Sequence, residues 1–150
     1  MAELRVVELS ASNISAANAL TLKPGQEQFV APVSYSAAAA VNNPATTWQR
    51  VVVDGDEVVG FVMGSFDEDA EHEEFRSILW RINVEASDQG RGIGKYAVTA
   101  LADEARARGQ KRLNVIWEQG ELGPEAFFLR MGFVPVGETQ YGEIIGALEL

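Results

Sequence analysis

The stretch QGRGIGKY (89–96) places three glycines between a strand-like run, ILWRINV (78–84), and a helical pattern that begins at Lys95. A strand that passes through a glycine turn into a helix directs several backbone N–H groups toward one point, because the first N–H groups of a helix have no partner within it. The helix dipole adds partial positive charge there, and glycine lets an anion approach the backbone. The sequence therefore predicts a phosphate or pyrophosphate site, with Arg91 and Lys95 at its rim.

The remaining chain shows short strand and helix patterns that fit one sheet. Strand patterns occur at 4–9, 50–64, 75–84, 111–117, 133–137 and 143–150, and helical patterns at 14–20, 26–41, 95–109 and 123–132. The run 50–64 is predicted to be a hairpin, because Asp54-Gly55 can take the positive φ angles of a tight turn. The order β-α-α-β-β-β-α-β-α-β-β predicts an α/β (α+β) fold with one mixed sheet and helices on both faces. With 150 residues, of which 47% are apolar, we expect a single domain spanning 1–150.

Composition narrows the class of protein. No apolar run approaches the roughly 18 residues of a membrane helix, and the acids in MAELRVVELS are unlike a secretory signal. Cysteine is absent, which excludes thiol nucleophiles and fits a reducing cytoplasm, and a single histidine argues against a His-based metal site. The net charge of −10 argues against nucleic acid, which needs a basic surface. We expect a cytoplasmic protein that binds no nucleic acid, membrane or metal.

The acidity is concentrated in DEDAEHEE (67–74), which holds six carboxylates in eight residues. Charge runs usually stay in water, so one interpretation is a solvated loop. The other is that these acids attract a cationic substrate toward a nearby site. The sequence leaves both interpretations open.

Three kinds of phosphate site use a turn of this sort. A Walker A loop needs G-x-x-x-x-G-K-[ST], but Gly90 to Gly94 is one residue short and Tyr96 replaces the hydroxyl residue. A dinucleotide fingerprint needs G-x-G-x-x-G after the first strand of a βαβ unit, and here both the spacing and the position differ. The third pattern is Q/R-x-x-G-x-G/A after a central strand, which Gln89, Gly92 and Gly94 meet in full.

This third pattern, in its context, resembles the GNAT superfamily of N-acetyltransferases. The resemblance covers the element order, the strand ILWRINV, the late helix and the junction LRMGFVPVGE (129–138). More narrowly, five segments resemble the bacterial branch related to diamine and spermidine acetyltransferases: QEQFVA (26–31), GFVMG (60–64), LWRINV (79–84), QGRGIGK (89–95) and GFVPVGE (132–138). The resemblance implies the GNAT fold, with a mixed central sheet of six to seven strands and a splayed central strand. It also implies acetyl-CoA as the cofactor.

The resemblance further implies two groups of cofactor contacts. Backbone amides at the turn would hold the pyrophosphate, and those residues are Gly90, Arg91, Gly92, Ile93, Gly94 and Lys95, with Gln89 opening the motif. In the family, the preceding strand splays from its neighbour, and its backbone groups bind the pantetheine arm and polarise the thioester carbonyl. Those residues are Ile82, Asn83 and Val84.

The late helix departs from the family pattern. Family members often carry N-x-x-x-x-x-F-Y-x-x-x-G-F there, with the tyrosine protonating the leaving thiolate. Counting back from Gly132, the tyrosine position is Phe128 and the asparagine position is Glu121. The usual general acid is therefore missing, and Phe128 is expected to line the cofactor or to pack in the core.

Other side chains are candidates for the proton transfers. Glu85, at the end of the splayed strand, is the leading candidate for general base, and Tyr141, between the last two strands, for a substitute acid. Tyr35, Tyr96 or water are alternatives for the acid. His72 is an alternative base, because histidine is the residue type that can gain and lose a proton near neutral pH. Glu85, Tyr141 and His72 also have an ordinary surface interpretation.

The function that follows is transfer of an acetyl group from acetyl-CoA to a primary amine of a small, cationic, polyamine-like acceptor. The acidic run and the net charge favour that acceptor class. The main rival is a non-catalytic acyl-CoA binding or sensor module, which the Phe128 departure favours, and a nucleotide hydrolase is a distant third. The two C-terminal strands are compatible with a homodimer, which the family often forms.

Overall fold

The computed structural model describes residues 3–21, 23, 45–120 and 123–150. Within these residues the chain forms seven strands and three α-helices. The strands are β1 Leu4–Glu8, β2 Thr47–Asp54, β3 Glu57–Ser65, β4 Ile78–Val84, β5 Arg112–Trp117, β6 Val134–Glu138 and β7 Ile144–Glu149. The helices are α1 Ile14–Asn18, α2 Ile93–Ala107 and α3 Glu125–Met131. One mixed sheet contains these seven strands in the order β1-β2-β3-β4-β5-β7-β6, and among the strand pairs of the described residues only β4 and β5 run parallel.

The strands β2 and β3 form the predicted hairpin, turning at Gly55 with φ 62°. Side chains alternate across this sheet as strand geometry requires, so that Val51 and Val53 pack on one face and Val52 on the other. A bulge at Val59 interrupts the pairing, because Val52 pairs with Gly60 and Val53 with Val58.

Helices cover both faces of the sheet, as the sequence predicts. On one face, α2 buries its apolar stripe, and α3 packs beside it through Phe128 in the same core cluster. A Cβ at Gly64 of β3 would lie 2.5 Å from Leu101 Cδ1, so this glycine lets α2 approach the sheet closely. On the other face, Ala17 of α1 packs against Phe61 and Met63.

The central strands β4 and β5 separate after a short pairing. Only Ile78 with Asn114 and Leu79 with Val115 are paired. A bulge at Trp80 follows, since Gly64 pairs with Leu79 and Met63 with Arg81, and β4 then follows β3 to its end. The sheet therefore opens between the carboxyl-terminal ends of two parallel strands, which confirms the splayed central strand.

The predicted elements recur with small shifts at their ends. The helix predicted over 95–109 begins at Ile93, and the strand predicted over 75–84 begins at Ile78, because residues 73–75 form a 3-10 turn. The helix predicted over 26–41 lies outside the described residues. Among the helices of the described residues, none has the length and apolar character needed to span a membrane.

Candidate functional site

The glycine turn lies at the open end of the sheet, between β4 and α2. Gly90 and Gly92 have φ angles of 87° and 84°, which residues other than glycine rarely adopt. A Cβ at either position would meet no atom of the described chain within 4 Å. Their role is therefore conformational, and the space beside their backbone is open to a ligand. The amide of Tyr96 donates to the carbonyl of Gly92 at 3.0 Å and so closes the first turn of α2.

Gly94 has a different role from the other two glycines. A Cβ there would lie 2.9 Å from Cε1 of Phe127, so the position is filled from α3. The third glycine makes room for a phenyl ring of the protein itself. The sequence motif alone does not distinguish this role from that of Gly90 and Gly92. The amides of Ile93, Gly94 and Lys95 still belong to the first turn of α2, where helical N–H groups lack intrahelical partners.

The end of β4 presents backbone groups to the opening. The amide of Glu85 donates to the carbonyl of Val59 at 3.0 Å, and Phe61 pairs with Asn83 in the same register. Because backbone direction alternates along a strand, Asn83 turns its backbone toward β3, while Ile82 and Val84 turn theirs toward β5. Of the three predicted pantetheine contacts, Ile82 and Val84 therefore face the opening, and the side chain of Asn83 is buried.

Gln89 ties the glycine turn to the strand. Its Nε2 donates to the carbonyl of Val84 at 3.0 Å, so the side chain caps a backbone group that faces the opening. This contact explains a polar residue with a long side chain at the first position of the motif. It holds the turn against the end of β4.

Glu85 is bound to the segment that follows α1. The backbone amide of Thr21 donates to Oε2 at 3.0 Å, and the hydroxyl of Thr21 donates to Oε1. In return, the amide of Ala86 donates to the carbonyl of Thr21 at 2.9 Å. The hydroxyl of Thr21, which favours the ionised carboxylate, is the largest cause of a pKa for Glu85 below its usual range, and it outweighs the opposing effect of burial.

The tyrosine and histidine candidates lie in different settings. Tyr141 is 81% exposed in the turn between β6 and β7, where its amide donates to Thr139 Oγ1 at 3.2 Å. Tyr96 is half-buried on α2 against the apolar core. His72 is exposed, and its ring lies nearly perpendicular to that of Phe75, with the ring centroids 6.2 Å apart. Tyr35 and Glu121 lie outside the described residues.

Phe128 faces the core from α3. It is 3% exposed, stacks on Trp117 with ring centroids 5.6 Å apart, and contacts Phe133 edge-on at 5.6 Å. The indole Nε1 of Trp117 donates to Oε2 of Glu125 at 2.9 Å, which ties the first turn of α3 to the end of β5. The position that carries a tyrosine in much of the family is here part of an aromatic cluster beside the opening.

Arg91 reaches away from the turn to the β2–β3 hairpin. Its Nη2 lies 3.2 Å from Oδ2 of Asp54, while the amide of Glu3 donates to Oδ1 of Asp54 at 2.9 Å. The bond from Glu3 is the largest cause of a lowered pKa for Asp54, and Arg91 lowers it further. The side chain of Lys95 is exposed. Asp54 has no signal in the sequence that relates it to this site, because it lies 37 positions from Arg91.

This arrangement of sheet, opening and glycine turn is that of an acyltransferase fold. The similarity of the chain to known families and structures agrees with this assignment. The model of the Acetyltransferase (GNAT) family matches residues 15–133, which is more than half of the chain. The chain therefore belongs to the GNAT acetyltransferase family. A search of curated protein sequences found no match.

Solved structures share this fold along nearly the whole chain. PaiA N-acetyltransferase from Thermoplasma acidophilum, in complex with coenzyme A, is 10% identical with a TM-score of 0.73, and 99% of each chain is covered. The GNAT domain of S. lividans PAT is 16% identical with a TM-score of 0.75, covering 98% of this chain and 90% of that one. The ribosomal-protein-S18-alanine N-acetyltransferase of Escherichia coli is 18% identical with a TM-score of 0.67, covering 97% and 93%. At these identities the likeness shows the fold alone.

Proposed function

We propose that this GNAT protein transfers an acetyl group from acetyl-CoA to a primary amine of a small cationic acceptor of the polyamine type. The observation that carries the proposal is the glycine turn at the open end of the parted strands β4 and β5. The amino end of α2 and the backbone of β4 that faces away from β3 lie side by side there, which supports a long ligand with a phosphate end and a thioester end. The diamine and spermidine branch named by the sequence resemblance stays part of this proposal.

The residues of the site fit coenzyme A. Positive φ angles at Gly90 and Gly92 shape the turn, and the space beside their backbone is open. The amides from Gly90 to Lys95 would hold the diphosphate at the amino end of α2. Ile82 and Val84 would meet the pantetheine arm through their backbone groups, with the aromatic cluster of Phe127 and Phe128 as the wall behind. When bound, acetyl-CoA supplies the acetyl group as a thioester, whose carbonyl oxygen needs a backbone donor.

The proton transfers are proposed for Glu85 and Tyr141. Glu85 is ionised at neutral pH, as its lowered pKa requires, and a carboxylate can accept a proton from the acceptor's ammonium group, so that the neutral amine attacks the thioester. The low pKa also makes Glu85 a weak base, so its contribution to catalysis would come from its position at the end of β4. Tyr141 would protonate the thiolate; its side chain is 81% exposed, in the turn that leads into β7, whose first residue pairs with the last residue of β5.

The cationic acceptor is supported by charge rather than by a contact. The run 67–74 leads into the paired end of β4, and the opening lies at the opposite end of that strand. These acids would therefore act at a distance, by raising the local concentration of a cation. Such steering weakens with salt because mobile ions screen exposed charges.

The rival binding module rests on one observation. Phe128 has no ionisable group and is buried in an aromatic cluster, so the family's usual acid is absent from α3. Mixing the protein with acetyl-CoA and a panel of amines, and following free thiol release, separates the two functions. Thiol release that depends on an amine supports the enzyme, whereas coenzyme binding without release for every amine supports the module.

A pair of glycine variants tests the coenzyme site itself. Gly92 and Gly109 have φ angles of 84° and 81°, and a Cβ at either position meets no described atom within 4 Å, but Gly109 lies beyond the far end of α2. Gly92→Ala and Gly109→Ala should each lower the free energy of unfolding by about 1–2 kcal/mol. Only Gly92→Ala should lower the affinity for coenzyme A, measured by calorimetry. Equal affinities for both variants would remove the phosphate-site argument.

The homodimer expected from the sequence is likewise a proposal. β6 is an edge strand of the sheet, and Val134 and Val136 are 60% and 56% exposed on it. Exposed apolar side chains on an unpaired edge favour association with another strand. Sedimentation of the protein over a range of concentrations tests this, and a monomer at every concentration contradicts it.

A further inference from the structure

Helix α3 contacts both sides of the opening between β4 and β5. On one side, Glu125 in the first turn of α3 accepts a hydrogen bond from Nε1 of Trp117, the last residue of β5, at 2.9 Å. On the other side, Phe127 of α3 lies against Gly94 in the first turn of α2. A Cβ at Gly94 would be 2.9 Å from Cε1 of Phe127 and 3.8 Å from Cγ2 of Val84, the last residue of β4. This short helix therefore connects the end of β5 to the end of β4 and the start of α2.

The indole of Trp117 is fixed by packing on two elements. Its ring lies over Gly146 of β7, where a Cβ would be 2.8 Å from Cη2. It also stacks on Phe128 of α3 with an interplanar angle of 24°, and Trp117 is 2% exposed. Because this packing sets the plane of the indole, it also sets the direction of Nε1, the single hydrogen-bond donor of the side chain. That donor meets the carboxylate of Glu125.

The hydrogen bond restrains α3 in a way that its apolar contacts do not. The helix has seven residues, and helices of this length depend on tertiary contacts rather than on their own propensity. Packed rings tolerate small displacements because the hydrophobic effect has no preferred direction. A hydrogen bond, in contrast, requires a narrow range of donor–acceptor distances and a nearly linear N–H direction. The bond between Trp117 and Glu125 therefore sets where the first turn of α3 lies relative to β5.

We propose that Trp117 and Glu125 are positioning residues for the pantetheine arm of coenzyme A, which act by holding the ring of Phe127 at the opening. Phe127 follows Glu125 by two residues in the same helix and is half-buried, so part of its surface is accessible to a ligand. A ring that is already in place when the arm arrives avoids the entropy cost of ordering it on binding. This inference rests on the proposed function, because the arm in question belongs to coenzyme A.

The test compares two substitutions of Glu125 that differ in one hydrogen-bond acceptor. Glu125→Gln removes the charge but keeps an oxygen for the indole of Trp117, whereas Glu125→Leu has a similar size and keeps neither. In calorimetry with coenzyme A, Glu125→Leu should raise Kd about three- to tenfold, the range expected from the loss of one partly buried hydrogen bond. The Kd of Glu125→Gln should lie closer to that of wild type. Equal Kd values for the two variants overturn the inference.

A ligand without the arm shows which part of the coenzyme is affected. Adenosine 3′-phosphate 5′-diphosphate keeps the phosphates of coenzyme A and lacks the pantetheine arm. Its Kd should be the same for wild type and Glu125→Leu, because the ring of Phe127 is proposed to contact the arm alone. A rise in Kd equal to that seen with coenzyme A would show that the substitution acts on the glycine turn or on the whole fold, and it overturns the inference.

Substitution of the donor is an independent test, and it serves if thermal unfolding shows that Glu125→Leu does not fold. Trp117→Phe removes the indole N–H and should raise the Kd for coenzyme A, and in that background Glu125→Leu should have no further effect. Trp48→Phe is the matched control, because Trp48 is buried in the same core cluster and its Nε1 has no hydrogen-bond partner among the described residues. Trp48→Phe should leave this Kd unchanged. Equal Kd values for Trp117→Phe and Trp48→Phe overturn the inference.

Binding of coenzyme A to the wild-type protein separates failure of this inference from failure of the proposed function. A wild-type protein that does not bind coenzyme A overturns both. A wild-type protein that binds it, with Glu125→Leu and Glu125→Gln alike, overturns this inference alone.

Discussion

Substitution of Thr21 separates two roles for Glu85, general base and structural anchor. Thr21→Val keeps the size of the side chain and the amide that donates to Oε2, but removes the hydroxyl that donates to Oε1. That hydroxyl is the largest cause of the low pKa of Glu85, so the pKa must rise in the variant. If Glu85 is the base, the acid limb of the pH dependence of kcat must move to higher pH.

The sizes of the kcat losses in two variants, Glu85→Gln and Thr21→Val, then distinguish the two roles. A general base contributes typically about 10²- to 10⁴-fold, so Glu85→Gln should lower kcat by that factor if Glu85 takes the proton. A partly exposed hydrogen bond contributes only about 1 kcal/mol, so Thr21→Val should cost little kcat at its optimum. Equal, small losses for both variants would indicate that Glu85 only anchors the segment after α1.

Stability should change with pH in a defined direction. A carboxylate with a depressed pKa stabilises the fold above its unfolded pKa, and this contribution is lost as pH falls through the folded value. The stability difference between wild type and Thr21→Val should therefore be full at pH 7 and shrink in acid. Thr99→Val is the matched control, because Thr99 donates to the Lys95 carbonyl on α2 and contacts no carboxylate there.

The assay is a pH series of initial rates with acetyl-CoA and an accepted amine, together with thermal unfolding at the same pH values. An acid limb that stays in place in Thr21→Val, with full turnover retained in Glu85→Gln, refutes the general-base role. Movement of the limb in Thr99→Val as well would show that the shift does not come from Glu85.

Three further predictions follow from other contacts. Gly94→Ala should lower the free energy of unfolding by about 1–3 kcal/mol, because its Cβ would overlap the Phe127 ring; a melting temperature equal to that of wild type would contradict this packing. Tyr141→Phe should lower kcat and leave coenzyme A affinity unchanged if the phenol protonates the thiolate, and a wild-type kcat would exclude that role. The KM for spermidine should rise with ionic strength, and an acceptor preference for neutral or acidic amines would count against steering by the acidic run.

Much of the fold could be predicted because its elements follow from local preferences. Asp54-Gly55 turns the hairpin, and the glycines at 109 and 132 end helices with φ angles of 81° and 103°. These conformations depend on a few neighbouring residues, which the sequence displays directly. The strand–glycine turn–helix motif is equally local, and it predicts the anion site; together with the element order and the junction at 129–138 it also indicates the family.

The contacts within the site depend on distant parts of the chain. Phe127 fills the space at Gly94, Thr21 binds Glu85 across 64 positions, and Asp54 binds Arg91 across 37. No periodicity relates such residues, because their proximity depends on how strands and helices pack. The two oxygens of Glu85 and the guanidinium of Arg91 therefore acquire partners that composition and spacing do not indicate.

The sequence by itself determined the order of the elements, the conformation of the glycine turn and membership of the family, since each depends on residues that are neighbours in the chain. Only the tertiary structure decided which backbone groups of β4 face the opening and which charges border the turn. That difference arises because a bulge at Trp80 and the parting of β4 from β5 are properties of three strands packed together.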